Sequence, residues 1–193
     1  MHKRGQRPRA VLLDRRISLQ VEELIKSTVP AKYCFHDWRH ARDVVAAVRR
    51  IIPHHPRLTV RQKRCLLFAA LAHDVGFSVT AEGHEAESAR IAGELARAHG
   101  FADRDVALVQ SLIRATAFSH RPRTLCERII RDADLFHLGT PRQKARSRLF
   151  RRELANCGIV FSNSEWHRRE ADFAAKHRFH LVWLDRERRK DVN

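Results

Sequence analysis

Between Cys65 and Ala72 the chain reads CLLFAALA, eight residues without a charged or hydrogen-bonding side chain, and the next two are His73 and Asp74. With Thr59 placed as an N-cap, this block reads as a helix buried nearly all round. A buried helix that ends in two polar residues must give them partners, because each carries a desolvation cost. The helical period recurs on both sides. Ile17, Val21, Leu24 and Ile25 share one face over 17–27. Ala41, Val44, Val45, Val48, Ile51 and Ile52 form the stripe of a helix over 38–52, closed by Pro53 and Pro56. Further helices are expected over 85–99, 103–116, 125–138, 141–156 and 164–177, with Pro141 in a first turn and Ser164 as an N-cap. The segment VGFSVTAEG after Asp74 reads as a loop. Gly158 to Phe161 is the only strand-like run, too short to carry a sheet. With 193 residues, seven Gly and six Pro, the expectation is an all-α, single globular bundle of eight or nine helices. Residues 1–193 form one domain in this reading, with a motif-bearing core over about 30–140 and C-terminal helices 141–193 packing on it.

A hydrophobic fraction of 44% excludes a disordered chain, while 38 Lys and Arg against 22 Asp and Glu give a net charge of +16. Such a charge attracts polyanions and does not bear on fold. Met1 to Ala10 is basic, but the apolar stretch after it is cut at once by Asp14-Arg15-Arg16, too short for a secretory signal. No window approaches the length of a membrane span. The four cysteines form no C-x-x-C pair, which argues against a disulfide framework or a Cys-based zinc site. A cytoplasmic protein without a membrane span is expected.

Thirteen histidines are present, and some fall into a pattern with aspartates. His36 and His40 lie one helical turn apart. His73 and Asp74 are adjacent, His84 opens a helix, and Asp132 and Asp134 sit inside an otherwise apolar helix. A mixed nitrogen and oxygen donor set suits Mn, Fe, Zn, Co or Mg chemistry rather than a closed structural zinc site. The other histidines read more plainly. His54, His55 and His120 are loop residues, His137 a partly buried structural one, and His177 and His180 pack with Trp166, Phe173, Phe179 and Trp183. The basic runs 146–152 and 186–190 read as solvated helix faces, with nucleic acid as the alternative partner.

The segments FHDWRHARDVV, LLFAALAHDVGF, GHEAESARIA and RIIRDADLFHLG together resemble the HD-domain superfamily of metal-dependent phosphohydrolases, in its small stand-alone bacterial form. The resemblance implies a divalent ion (Mn, Fe, Mg, Zn, Co or Ni) held by His40, His73, Asp74 and Asp134, with Asp132 as the alternative last ligand. It implies that Asp74 also orients the attacking water. By likeness to the cyclic-nucleotide phosphodiesterase branch, His36 is either the general acid or a histidine behind the ligands. That branch has Asn where this chain has Asp37. His84 resembles a second-metal ligand or substrate contact, but the further His of two-metal members falls at Ala115. Val75, Gly76 and Phe77 stand where the nucleotidase and alarmone hydrolase branches place a carboxylate. Arg39, Arg42 and Arg114 are candidates for substrate phosphate. The implied activity is hydrolysis of a nucleotide or other small phosphate mono- or diester by metal-activated water. Two alternatives stand beside it: a nucleic-acid-binding or nucleic-acid-acting protein, and a catalytically idle sensor that binds a nucleotide.

Overall fold

In the computed structural model, which describes residues 13–190, α3 (Val60–Ala72) is the central element. Thr59 accepts the Gln62 N–H while the Gln62 side chain accepts the Thr59 N–H, a reciprocal cap that fixes where α3 begins. From Cys65 to Ala72 no residue is more than 3% exposed. Five helices pack against it: α1 (Arg15–Thr28), α2 (Trp38–Ile51), α4 (His84–Ala98), α5 (Asp103–Arg114) and α6 (Leu125–Asp134). Then follow α7 (Gln143–Asn156), α8 (Asn163–Lys176) and α9 (Val182–Lys190). The described residues thus form an all-α protein of nine helices and two 3-10 turns, with no strand. No helix among them is long and apolar enough to cross a membrane. The basic start Met1 to Ala10, expected not to be a secretory signal, lies outside the described residues.

Several boundaries differ from the sequence reading, each for a local reason. Ser162, not Ser164, caps α8, because Glu165 sits three residues on and closes the reciprocal pair. Helix α6 ends at Asp134 rather than Leu138. Beyond it the N–H of Phe136 bonds Ala133 and that of Leu138 bonds Leu135, so the chain tightens into three-residue turns. Pro141 precedes α7 instead of lying in its first turn. The segment after Asp74, expected as a loop, forms a 3-10 turn over Val75–Ser78.

α9 is tied back to the core. Both oxygens of Asp132 accept backbone N–H groups, from His180 at 3.0 Å and Leu181 at 2.7 Å. Leu184 is fully buried, and Trp183 stacks on His54 with ring centroids 4.0 Å apart. The loop histidine between prolines therefore anchors a helix more than a hundred residues away.

The turn after α3 depends on Gly76. Its N–H donates to Ser88 Oγ at 2.8 Å, and a β-carbon there would lie 2.2 Å from the His84 carbonyl and 2.7 Å from the Ser88 nitrogen, both backbone atoms. Gly76→Ala should therefore force α4 away from the turn. A loss of about 1–3 kcal/mol is expected in urea unfolding. At the other end of α3, Asp105 is buried and accepts hydrogen bonds from Arg61 and, at 2.6 Å, Arg64. Burial opposes its charge, but the two guanidinium groups outweigh burial and hold its carboxyl below the ordinary 3.8. Its contribution is therefore present above about pH 4 and lost as the pH falls further. Asp105→Asn should cost about 1–2 kcal/mol at pH 7, since both arginines are partly solvated, and less in acid.

Candidate metal centre

α3 delivers His73 and Asp74 to the interior. His73 Nδ1 donates to the Ala70 carbonyl at 3.0 Å, which leaves Nε2 facing inward. His40 comes from the first turn of α2, where Asp37 Oδ1 caps its N–H at 3.0 Å and turns the imidazole onto the buried face. Asp134 is the last residue of α6. The ligand atoms of His40, His73 and Asp74 all lie within 4.8 Å of one another. Asp134 Oδ1 is 3.0 Å from His40 Nε2 and 3.4 Å from His73 Nε2. Asp74 Oδ2 is 3.0 Å from His73 Nε2 and 3.4 Å from His40 Nε2. No hydrogen bond reaches that buried oxygen.

These residues fit a divalent ion. Donors bonded to one metal at about 2.1 Å stand roughly 3.0–3.4 Å apart in octahedral or tetrahedral arrangements, which is the spacing found. The donor chemistry, two imidazole nitrogens with carboxylate oxygens, suits a borderline or hard transition ion. Electrostatics point the same way. Burial opposes the charge of Asp74, yet His73 and His36 hold its carboxyl well below the usual range. Asp134 is likewise lowered, against burial, by His40 and His73. Burial is also opposed at His73, which Asp74 and Asp134 raise well above its ordinary value. At His40 burial prevails and the ring is pushed toward the neutral form. The two carboxylates are thus ionised and His40 neutral, as a cation requires, while His73 holds a proton between the two acids that a bound ion would displace.

Asp132, the alternative to Asp134, turns its carboxylate to the backbone of His180 and Leu181 instead. His84 opens α4 with Nδ1 on the Ala81 carbonyl and Nε2 3.5 Å from Asp74 Oδ1. Phe77 stacks on both His84 and His36, with centroids at 4.1 and 4.4 Å. His36 is held from α7: its Nδ1 meets Glu153 Oε1 at 2.5 Å, and Glu153 Oε2 accepts the N–H groups of Phe35 and His36. Glu153 is only 4% exposed, and although burial opposes its charge these hydrogen bonds hold the carboxyl below its usual value. The side chain of Ala115, where two-metal members have a further His, is buried at the end of α5, and its carbonyl accepts Arg131 at 3.0 Å.

A cavity of about 550 Å³ opens at His40 and Asp134 and is flanked by Arg50, Arg142 and Arg146. Arg39, Arg42 and Arg114 are exposed and do not line it. Arg146, placed by the sequence on a solvated face, is 6% exposed, its guanidinium 4.1 Å above the Phe35 ring and bonded to the Phe35 carbonyl. Glu153 and Arg146 are the two residues of this region that sequence reasoning missed. Their spacing of seven, with Phe150 between, puts them on one face of α7 and was the only signal available.

An all-helical protein with a His/Asp cluster built from three separate segments is the class that fold and site define. The family model of the HD domain matches residues 37–139, more than half of the chain, and the chain belongs to the HD-domain family, whose members are generally metal-dependent phosphohydrolases. No curated protein and no solved structure matches it. His36 and Glu153 lie outside the matched segment.

Mn²⁺ at about 100 times its Kd should stabilise the wild type by about 2.7 kcal/mol, seen as a rise in Tm. Asp74→Ala should remain folded and show no rise. An equal rise in that variant would place the ion elsewhere.

Proposed function

We infer that this chain hydrolyses small phosphate mono- or diesters, nucleotides above all, with His40, His73, Asp74 and Asp134 as metal ligands and His36 as general acid. The observation that carries the reading is the buried group His40, His73 and Asp74 with the half-buried Asp134 against it, and a histidine beside them that a carboxylate locks in place. His40 and His73 side chains are 3% and 1% exposed, while His36 is 19% exposed. His36 is thus open to a substrate, as is His84 at 18%.

A divalent ion held there supplies Lewis-acid stabilisation of phosphoryl charge and lowers the pKa of water. The protein's own groups do the rest. Asp74 accepts a hydrogen bond from the attacking hydroxide, formed when the water gives one proton to solvent, and orients it. As the new P–O bond forms and the ester P–O bond breaks, His36 Nε2 passes a proton to the departing oxygen. Glu153 Oε1 holds the proton on Nδ1, so the transferable one resides on Nε2, and its charge stabilises the imidazolium before transfer. Arg142 and Arg146 offset phosphate charge along the groove, where positioning and neutralisation account for most of phosphoryl-transfer catalysis.

The test is turnover of nucleotides, cyclic nucleotides and generic phosphate esters with Mn²⁺, Mg²⁺ or Fe²⁺. Asp74→Ala should abolish it. His36→Ala should lower kcat by about 10²–10⁴-fold while keeping the Mn²⁺-induced rise in Tm. Glu153→Gln should lower kcat less and leave KM nearly unchanged, because it acts through His36. Turnover undiminished in Asp74→Ala would overturn the assignment, and ligand binding without turnover under every metal would favour the sensor reading.

A further inference from the structure

Asp132 and Asp134 are two positions apart on α6, about 200° around its axis. Asp134 meets His40 and His73, whereas Asp132 lines a separate cavity of about 630 Å³ between the end of α6, α8 and the segment after α8. None of His36, His40, His73, Asp74 or Asp134 lines this second cavity.

Its wall is cationic. Arg131, Arg169, Lys176 and Arg178 line it, and none of them forms an ion pair among the described residues. Arg131 and Arg178 donate only to backbone carbonyls, and Arg169 lies 4.6 Å above the Phe161 ring. The opposing acids are Asp132, whose oxygens both accept backbone N–H groups, and Asp172. Four guanidinium or ammonium groups without carboxylate partners around one cavity make a positive potential that an anion would relieve.

The same wall offers flat apolar faces. Phe118 is 75% exposed with its centroid 6.3 Å from that of Phe173, and Phe173 stacks on His177 at 5.3 Å with ring planes 17° apart. A large aromatic ring left in water at the rim of a cationic cavity suits a ligand that brings a ring and negative charge together. The volume lies within the roughly 300–1,000 Å³ of small-molecule sites.

We propose that this cavity binds a nucleoside phosphate, the base against Phe118 and Phe173 and the phosphates met by Arg169, Lys176 and Arg178. It is a second site, separated from the metal centre by the last turn of α6, and does not depend on the proposed hydrolysis.

The experiment is calorimetric titration of the full chain with ADP and with inorganic pyrophosphate, in EDTA at fixed ionic strength, so that no metal contributes. Saturable one-to-one ADP binding is expected, tighter than that of pyrophosphate and retained in Asp74→Ala. The double variant Arg169→Glu with Lys176→Glu should weaken it at least tenfold, with the Mn²⁺-induced rise in Tm unchanged. Phe118→Ala should weaken ADP and leave pyrophosphate as it was. Absence of saturable binding, loss in Asp74→Ala, or indifference to the double variant would overturn the site. Pyrophosphate binding as tight as ADP would overturn its ring-recognising part. Tighter binding of a single-stranded oligoadenylate, lost in the double variant, would replace the mononucleotide by nucleic acid.

Discussion

The burial of α3 on every side governs the rest of this protein. A helix that is apolar around its whole circumference can only be stable with other helices packed about it, and α1, α2, α4, α5 and α6 do so. Whatever follows its last apolar residue is therefore delivered to the interior. His73 and Asp74 follow Ala72, and neither can reach solvent to recover hydration. Their partners have to come from neighbouring helices, which is why His40 and Asp134 lie where α2 and α6 meet the end of α3. The cluster's mutual electrostatics then keep both carboxylates ionised against a strong desolvation penalty, at the cost of leaving Asp74 Oδ2 without a donor.

The C-terminal helices complete this arrangement from outside the matched family segment. Glu153 on α7 grips the backbone of Phe35 and His36 together with the His36 ring, and Arg146, about two turns earlier, closes over Phe35. One face of α7 thus orders the segment that precedes α2. Asp132 performs the equivalent task for α9 by taking the N–H groups of His180 and Leu181. Two acids of α6, one residue between them, consequently divide between two duties, one toward the His/Asp cluster and one toward the chain's end.

Part of the high positive charge is gathered at particular places rather than spread over solvated helix faces. Arg146 is buried against an aromatic ring, Arg50 and Arg142 flank the groove beside His40, and a further group of cations lines the cavity behind α6. Both concave regions carry cationic side chains on their walls. The basic composition therefore finds its place in the structure as two cavities on opposite sides of one helix.

Much of this could be read in the sequence. The apolar block of α3, the stripes of α1 and α2 and the Thr59 cap are local patterns, and local patterns suffice to specify helices and their order. The order His40, His73, Asp74, His84, Asp134 was equally legible, because each residue departs from an apolar context in a recognisable way. What local pattern could not supply is which side chains meet. Asp132 and Asp134 carry the same chemistry in the same helix, and only the rotation of α6 against α2 and α3 decides that Asp134 faces the histidines. Glu153 lies 117 residues from His36, and in sequence it is one charge in an arginine-rich helix. Pairing over that distance is set by packing of the whole bundle, so tertiary structure alone determined it.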